Sequence, residues 1–164
     1  MAKTFLTAAL VAMTALCFSV VLSAAHDKMV VEGYVYCDPC RVAFQTPLST
    51  PISGNKVHLK CTSRINGTVT LSLEGVTDKK GMYSIAVTGD HEDDICEVEL
   101  GKSSALGCTV PFFRNNARVL LTKNFGVVTP IRSASALGYM SFTSHRKCAK
   151  VLLDMGFLPY PTNV

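Results

Sequence analysis

The sequence predicts an all-β fold: an antiparallel β-barrel or sandwich of about seven strands, with a short C-terminal helix and three disulfides. Three observations support this prediction. Short segments alternate apolar and polar side chains, turn-forming residues separate these segments, and six cysteines follow the first 25 residues. An alternation with a period of two residues is typical of a half-buried strand.

The strand predictions follow this alternation along the chain. Residues 57–61 alternate Val, Leu and Cys with His and Lys, which predicts one buried and one solvated face. Asn66-Gly67 then predicts a hairpin turn into the next strand. Gly33 is a candidate bulge position in the first strand. The other predicted strands cover residues 30–36, 69–73, 82–87, 95–100, 118–122 and 127–129, with turns at 78–81 and 89–94.

Only the C-terminal part of the chain has a helical pattern. Residues 145–155 place their apolar side chains on one stripe, which includes Cys148, so this cysteine is expected to attach the helix to the β-core. Gly156 and Pro159 provide the stop signal that typically follows a helix. Residues 101–116 have the least regular pattern and are predicted to form a long loop.

A cleavable signal peptide is predicted for residues 1–25. Lys3 supplies the positive charge, residues 5–22 are apolar and uncharged, and Ser23-Ala24-Ala25 provides the small residues that precede a cleavage site. The apolar run is at the lower limit for a membrane span and no basic stop-transfer cluster follows, which favours cleavage over anchoring. We therefore expect a single mature domain, residues 26–164, secreted to the extracellular space.

The charge pattern argues against a nucleic-acid-binding protein. The net charge is only +4, and the lysines and arginines are scattered along the chain. A nucleic-acid footprint needs basic residues concentrated on one face. A weak attraction to acidic wall polymers such as pectin is compatible with this charge, but net charge does not establish it.

The cysteines predict a disulfide framework. Cys17 lies in the predicted signal peptide, which leaves Cys37, Cys40, Cys61, Cys96, Cys108 and Cys148. An even number of cysteines in a small secreted domain indicates disulfides, and six cysteines allow 15 pairings, among which the spacing does not choose.

The Cys37-Asp38-Pro39-Cys40 sequence has two alternative interpretations, a thiol–disulfide exchange site and a zinc site. An exchange site needs a helix after the first cysteine, whereas this pair follows a strand-like run. A zinc site needs a second close pair, and the other four cysteines are far apart. We expect structural bridges from these two cysteines to two distant parts of the chain, and no bound metal.

Asn66-Gly67-Thr68 is an N-glycosylation sequon. It coincides with the predicted hairpin turn, so Asn66 should be exposed. Given the predicted secretory route, we expect Asn66 to carry a glycan.

No catalytic constellation is evident, so the chain is predicted to be non-enzymatic and to need no cofactor. None of the histidines, at positions 26, 58, 91 and 145, has a neighbouring serine or cysteine at a nucleophile-like turn. Oxidation of the cysteines would leave no thiol nucleophile.

Two segments are candidates for binding. The acidic run 90–94 (Asp90, His91, Glu92, Asp93, Asp94) offers the oxygen ligands that Ca²⁺ prefers but lacks EF-hand spacing, so a solvated turn is favoured. Phe112 and Phe113, in the long loop, are candidates for stacking on sugars, although covering one end of the barrel is favoured. Tyr34, Tyr36 and Tyr83 lie in strands and are expected in or near the core.

The segment 32–41, EGYVYCDPCR, surrounds the first two cysteines with a distinctive sequence. It resembles the signature of the olive-pollen major allergen (Ole e I) family. The similarity continues over nearly the whole mature chain, at residues 56–61, 66–68, 75–78, 81–83, 90–96 and 137–139, and at Cys148, Gly156 and Pro159. One departure stands out: Ser135-Ala136 replaces the Asn-Pro that usually precedes Leu-Gly-Tyr in the family, which predicts a more mobile loop there and an altered choice of partner if the segment forms a binding surface.

The resemblance implies a secreted β-barrel or sandwich of the plant cell wall or apoplast without established catalytic activity. It implies the disulfides Cys37–Cys108, Cys40–Cys148 and Cys61–Cys96. Family members are associated with pollen hydration and tube growth, and others occur in different tissues. Proposed partners are receptor-like kinases and wall polysaccharides.

Three functions therefore compete. The favoured one is an extracellular interaction or signalling protein that engages a receptor ectodomain in pollen or growing tissue. The second is a module that binds pectin or arabinogalactan, and the third is an enzyme, either a disulfide exchanger or a hydrolase. The fold alone does not separate them.

Overall fold

The structure is a computed structural model that describes residues 28–157. Within this range it has ten strands and one helix: β1 (Lys28–Asp38), β2 (Thr50–Pro51), β3 (Lys56–Ser63), β4 (Val69–Val76), β5 (Met82–Thr88), β6 (Asp94–Leu100), β7 (Val110–Pro111), β8 (Asn116–Val119), β9 (Ile131–Ser133), β10 (Leu137–Met140) and α1 (Cys148–Asp154).

The strands form two sheets. The first is built on β1, whose N-terminal part pairs antiparallel with β5 and parallel with β9. The C-terminal part of β1 pairs antiparallel with β2 and parallel with β10, which also pairs with β7. The second sheet is antiparallel throughout and has the order β4-β3-β6-β8. The two sheets form a sandwich that does not close into a barrel.

The core lies between the sheets and follows from the alternation of the sequence. On β3, Val57, Leu59 and Cys61 are fully buried, whereas Lys56 and Lys60 are exposed. The first sheet contributes the alternate residues of β1 and β5, including Val31. The predicted all-β fold with a short helix and three disulfides is confirmed.

The strand number and the strand directions differ from the prediction. Three of the ten strands have only two or three residues, which is too short for an alternation to be recognised. Strands β9 and β10 run parallel to β1, so the sheet containing them is mixed. Direction is decided by the path of long connections, which hydrophobic periodicity does not describe.

The last two predicted strands differ in position from the strands of the structure. In place of the strand expected at 118–122, strand β8 covers Asn116–Val119. It does not extend to residue 122, because Leu121 and Thr122 are both buried and so break the period of two. The strand expected at 127–129 is absent from the described structure, and β9 forms at Ile131–Ser133 instead. Its inward residue is an arginine, Arg132, which gives the sequence no apolar signal.

Gly33 does not form a β-bulge. The register between β1 and β5 runs without a shift from Lys28↔Thr88 to Tyr34↔Met82. A register shift occurs instead on β3, between Cys61 and Thr62.

The C-terminal helix is shorter than the predicted range 145–155, because residues 146–147 form a turn and α1 begins at Cys148. Its end has the predicted glycine stop. Gly156 has a φ of 77° and donates to the Leu153 carbonyl, while Phe157 donates to the Leu152 carbonyl, both at 2.9 Å. These two hydrogen bonds are those of a Schellman motif.

The predicted signal peptide, its cleavage position, His26 and Pro159 lie outside the described residues. From residue 28 to residue 157, the chain has no helix with the length and apolar character needed to cross a bilayer.

Candidate functional site

The disulfides occupy all six cysteines of residues 28–157. Cys37 bonds to Cys108 and Cys40 to Cys148, over sequence separations of 71 and 108 residues. The third bond, Cys61–Cys96, joins cross-strand partners on β3 and β6. This pairing is the one that the family resemblance implies. Because Cys37 and Cys40 are not bonded to each other, their C-x-P-C segment does not have the arrangement of an exchange disulfide.

A buried carboxylate shapes the chain between these two cysteines. Asp38 is fully buried, and its Oδ1 accepts the backbone N–H groups of Cys40 at 2.8 Å and Arg41 at 2.9 Å. Its Oδ2 accepts those of Val42 at 2.7 Å and Ala43 at 2.8 Å. Arg41 and Ala43 both have a φ of 60°, so this turn is held in a left-handed conformation that their side chains disfavour. Asp38 is therefore a structural residue that aims the two cysteines in different directions.

Three of the four carboxylates in the acidic turn, those of Asp90, Glu92 and Asp94, accept hydrogen bonds within the protein. Asp94 Oδ2 accepts a hydrogen bond from the Thr70 hydroxyl at 2.6 Å and lies 2.9 Å from His91 Nδ1. The Thr70 hydroxyl and, next, His91 hold the pKa of Asp94 below its usual value. Glu92 accepts from Asn124 Nδ2 at 2.6 Å. These contacts tie the turn to β4 and to the segment after β8, as a structural turn requires.

His91 lies beside the Cys61–Cys96 disulfide. A ring nitrogen of His91 and the two sulfurs lie within 4.8 Å of one another. Its Nε2 has no hydrogen-bond partner among residues 28–157. Two sulfurs that are bonded to each other are not the thiolates that a metal ion binds. The sequence did not predict this contact, because 30 residues separate Cys61 from His91 and only the pairing of β3 with β6 brings them together.

The other two histidines of residues 28–157, His58 and His145, make contacts of a different kind. His58 lies on the solvent side of β3, with Nδ1 3.5 Å from a carboxylate oxygen of Glu74. His145 Nδ1 accepts the backbone N–H of Lys147 before the helix, at 3.2 Å. Neither contact includes a serine or cysteine nucleophile, so the arrangement that acyl transfer needs is not formed by these residues.

Strand β8 of the second sheet and strand β9 of the first are both edge strands, and residues of both border one cavity between the sheets. We call this region the seam and define it as residues 113–120 and 131–137. Two cavities lie along it, of about 550 Å³ and 400 Å³, and Arg118 borders both. Their volumes are within the range of ligand pockets.

The two phenylalanines of the loop have different roles. Phe112 is buried and its ring meets that of Tyr36 edge to face, with centroids 5.6 Å apart, so it covers the core as the favoured interpretation stated. Phe113 is fully exposed at one end of the seam. Tyr36 and Tyr83 are buried and Tyr34 is half-buried, as expected.

The seam is basic. Arg114, Arg118 and Arg132 line its cavities, and no aspartate or glutamate does so among residues 28–157. Arg118 also lies 3.5 Å from Glu97 on the outer face of the sheet. Ser135 and Ala136, which replace the family's Asn-Pro, form part of the wall of the larger cavity. The sequence marked this departure but did not predict that it faces a cavity.

Arg132 joins the two sides of the seam at one end. It is buried, and its Nη2 donates to the Thr122 carbonyl at 2.9 Å while Nη1 donates to the Thr129 carbonyl. Within the described residues, no carboxylate lies within 4.0 Å of its guanidinium, and Nε has no hydrogen-bond partner. A buried cation without a counter-ion carries a desolvation cost and gives this end of the seam a positive potential.

Asn66 lies in the turn between β3 and β4 and is exposed, with its Oδ1 accepting a hydrogen bond from the Thr68 hydroxyl at 2.8 Å. The sequon is thus accessible in this fold. Its occupancy stays a prediction.

Two packed sheets and three disulfides define a small disulfide-stabilised β-sandwich. The family model described as "Pollen protein Ole e 1 like" matches residues 27–156, and the chain belongs to this family. The resemblance read from the sequence is confirmed.

Named relatives agree with this assignment. The chain is 46% identical over 151 residues to "Olee1-like protein" of Betula pendula, covering 88% of this chain and 91% of that protein. It is 40% identical over 156 residues to "Anther-specific protein LAT52" of Solanum lycopersicum, covering 92% and 96%. The crystal structure of the major plantain pollen allergen Pla l 1 aligns with a TM-score of 0.66 and 32% identity, covering 74% of this chain and 99% of that one. None of these names describes an enzymatic activity.

Proposed function

We propose that this protein is a secreted, non-enzymatic glycoprotein of the plant extracellular space that acts in pollen or in growing tissue by binding another protein. The class of partner proposed is the ectodomain of a receptor-like kinase. The pollen and anther names of the relatives support the setting. The family and the fold define the class of protein, whereas the binding role is our proposal, because a fold by itself does not specify a function.

One observation carries the proposal: the cysteines and most of the acidic turn are engaged inside the fold, whereas the seam presents an open and chemically distinctive surface. The cysteines form disulfides and the acidic turn is hydrogen-bonded internally. The seam exposes Phe113 between two sheets and lines its cavities with arginines. Aromatic and arginine side chains are enriched where proteins bind partners.

The test is a binding panel with the secreted, glycosylated protein immobilised. Purified receptor-like kinase ectodomains are applied over a range of salt concentrations, and insulin reduction is measured in parallel. Saturable binding of an ectodomain without insulin reduction is the expected result. Reduction of insulin, together with failure of every ectodomain to bind, would contradict the proposal.

A second candidate is binding of a wall polysaccharide, pectin or arabinogalactan. It is favoured by the exposed ring of Phe113 beside Arg114, since a ring can stack on a sugar and an arginine can pair with a uronate carboxylate. Pull-down on polygalacturonate tests it. Retention that persists at high salt and falls on Phe113→Ala supports it, whereas retention that salt alone abolishes reports only charge.

The extracellular location is tested separately. The full chain is expressed in plant cells, and the protein recovered from the medium is sequenced from its N-terminus. We expect a first residue of His26, as cleavage after Ala25 predicts. Retention of the chain in a membrane fraction would contradict it.

A further inference from the structure

We propose that the seam accepts an extended, acidic segment of a partner protein, which adds as a strand between β8 and β9. This inference rests on the proposed function and names the chemistry of the partner. It is carried by the strand topology, the cavities and the charge of the seam.

The first step concerns the edges of the two sheets. Strand β8 pairs only with β6, and β9 pairs only with β1, among the described strands. Each therefore has one edge that is not paired with a neighbouring strand. On β9 the N–H of Ile131 donates to Thr129 Oγ1 at 3.1 Å and its C=O accepts from Arg132 Nη1 at 3.2 Å, so an added strand would replace these two side-chain contacts and would pair mainly with β8. Such edges are the sites at which extended peptides bind by strand addition.

The second step concerns the space between these edges. The larger cavity is bordered by residues 112–118 on one side and 135–137 on the other, with Ala43 at its margin. The smaller is bordered by 118–120 and 131–133, and the connecting segment contributes Phe125, Val127 and Thr129 to its wall. The two segments thus run in opposite directions along one gap. Residues 131–137 correspond to ~20 Å of extended chain at about 3.3 Å per residue, which matches a strand of six or seven residues.

The third step concerns charge. The cavities are lined by Arg114, Arg118 and Arg132 and, within residues 28–157, by no acidic residue. Carboxylates on the added strand would pair with the guanidinium groups of Arg114 and Arg118, for which arginine geometry is well suited, and Arg118 would share its exposed contact with Glu97. Arg132 is buried with its Nη atoms on backbone carbonyls, so it contributes only positive potential. Apolar residues also border the smaller cavity, where Phe125, Leu120 and Ile131 are exposed. Because successive side chains of a strand face opposite ways, the fitting segment alternates acidic and apolar residues.

The same charges disfavour a second copy of this chain as the occupant. Pairing β8 with β8 of another molecule would bring two Arg118 side chains onto adjacent strands. Like charges on neighbouring strands are destabilising. A basic residue on a short edge strand is a common protection against self-association.

The test uses the glycosylated mature protein and an amidated hexapeptide probe, Glu-Val-Glu-Val-Glu-Val, that carries an uncharged fluorophore on its N-terminus. The comparison peptides are Lys-Val-Lys-Val-Lys-Val and the acidic peptide with N-methylated backbone at alternate residues. Binding is measured by fluorescence anisotropy, and amide hydrogen exchange locates it. We expect binding of the acidic probe only, with new protection of backbone amides in β8 and β9.

Variants make the test specific. Arg118→Glu should weaken binding of the acidic probe about tenfold or more and allow the Lys-Val peptide to bind. The matched control is Arg146→Glu, an exposed arginine in the turn before α1, which should change neither. Equal binding of the N-methylated peptide, or protection located elsewhere, would overturn strand addition. Displacement of the probe by polygalacturonate at equal carboxylate concentration would assign the seam to a wall polymer instead.

The outcomes also separate this inference from the proposed function. If an ectodomain binds and Arg118→Glu leaves its affinity unchanged, the seam inference fails while the proposed function stands. If no ectodomain binds but the acidic probe adds to β8 and β9, the seam is a strand-binding site and the class of partner must be revised.

Discussion

The ring of Tyr83 lies over Gly33, its antiparallel partner on β1. A Cβ at residue 33 would overlap the hydroxyl and the ring of Tyr83. Tyr83 is only 2% exposed, so its ring covers the backbone of β1 and is packed from the other side by the core. Glycine is therefore required here for close approach of a ring, although its φ is not positive.

Gly33→Ala is predicted to destabilise the fold by about 1–3 kcal/mol, the usual range for overpacking a core position. The methyl group must displace either the Tyr83 ring or β1. Urea unfolding followed by fluorescence measures the change, with Ser84→Ala, on the exposed side of β5, as the control. Equal stability of the two variants would show that the ring moves freely.

The buried tyrosines predict a loss of stability at alkaline pH. The ordinary pKa of a tyrosine is 10.0, and burial raises the pKa of Tyr83 to about 12. Burial and, next, the negative charge of Asp38 raise the pKa of Tyr36 to about 12. The folded protein therefore retains these protons after the unfolded chain has released them. The stability from these groups is complete below pH 10 and is lost as the pH rises to about 12.

Alkaline titration checks this prediction through tyrosinate absorbance and circular dichroism recorded together. Tyrosinate from Tyr36 and Tyr83 should form only as the fold is lost. Tyr83→Phe also removes a buried hydroxyl without a partner in the described structure, and should reduce the pH dependence between 10 and 12. Titration of every tyrosine near pH 10 in a folded protein would contradict it.

Asp38→Asn is predicted to cost about 3 kcal/mol or more, from about 1.5–3 kcal/mol for each hydrogen bond to a charged group. In asparagine, an NH₂ group stands in place of one carboxylate oxygen. If it takes the place of Oδ2, it faces the N–H groups of Val42 and Ala43, and donor then meets donor. Thermal unfolding compares it with Asp78→Asn, an exposed aspartate that also accepts two backbone N–H groups. A similar small effect for both would mean that the buried turn tolerates the loss.

Removing the Cys40–Cys148 bridge is predicted to release the helix. Helix α1 has seven residues, too few to be stable alone, and only Cys148 in it is buried. The chain-entropy contribution of a loop of about 100 residues is at most ~4.7 kcal/mol. In the double variant Cys40→Ser/Cys148→Ser, amide exchange in α1 should become fast and the melting temperature should fall.

The control for this variant is Asp154→Asn, which removes the exposed Lys150–Asp154 pair and leaves the disulfide intact. A surface pair of this kind contributes about 0.3–0.5 kcal/mol, so protection of α1 should persist. Unchanged protection in the double variant would show that packing alone holds the helix.

The predicted glycan is tested by Asn66→Gln in secreted protein. The exposed turn and the accessible sequon predict one glycan, so the wild type should lose mass on enzymatic deglycosylation and the variant should not. Because Asn66 Oδ1 contacts only its own turn, the variant should keep its melting temperature within a degree or so. Identical masses of wild type and variant, apart from the substitution, would contradict occupancy.

The sequence predicted the long strands well because their alternation is local. Residues 57–61 and 82–87 keep a period of two, and β3 and β5 form around them. Strand β9 was missed since three residues with an inward arginine give no pattern. The seam was missed for a different reason: its two walls come from parts of the chain that are far apart in sequence, and no local pattern connects them.

The sequence by itself determined the family, the β-class, the disulfide-rich character and the positions of the turns, since these depend on composition, spacing and neighbouring residues. Only the tertiary structure decided that β9 and β10 run parallel to β1, that Tyr83 requires Gly33, and that β8 and β9 leave an open basic seam. These features are contacts between residues far apart in the chain, and their energies depend on packing and burial that exist only once the two sheets have met.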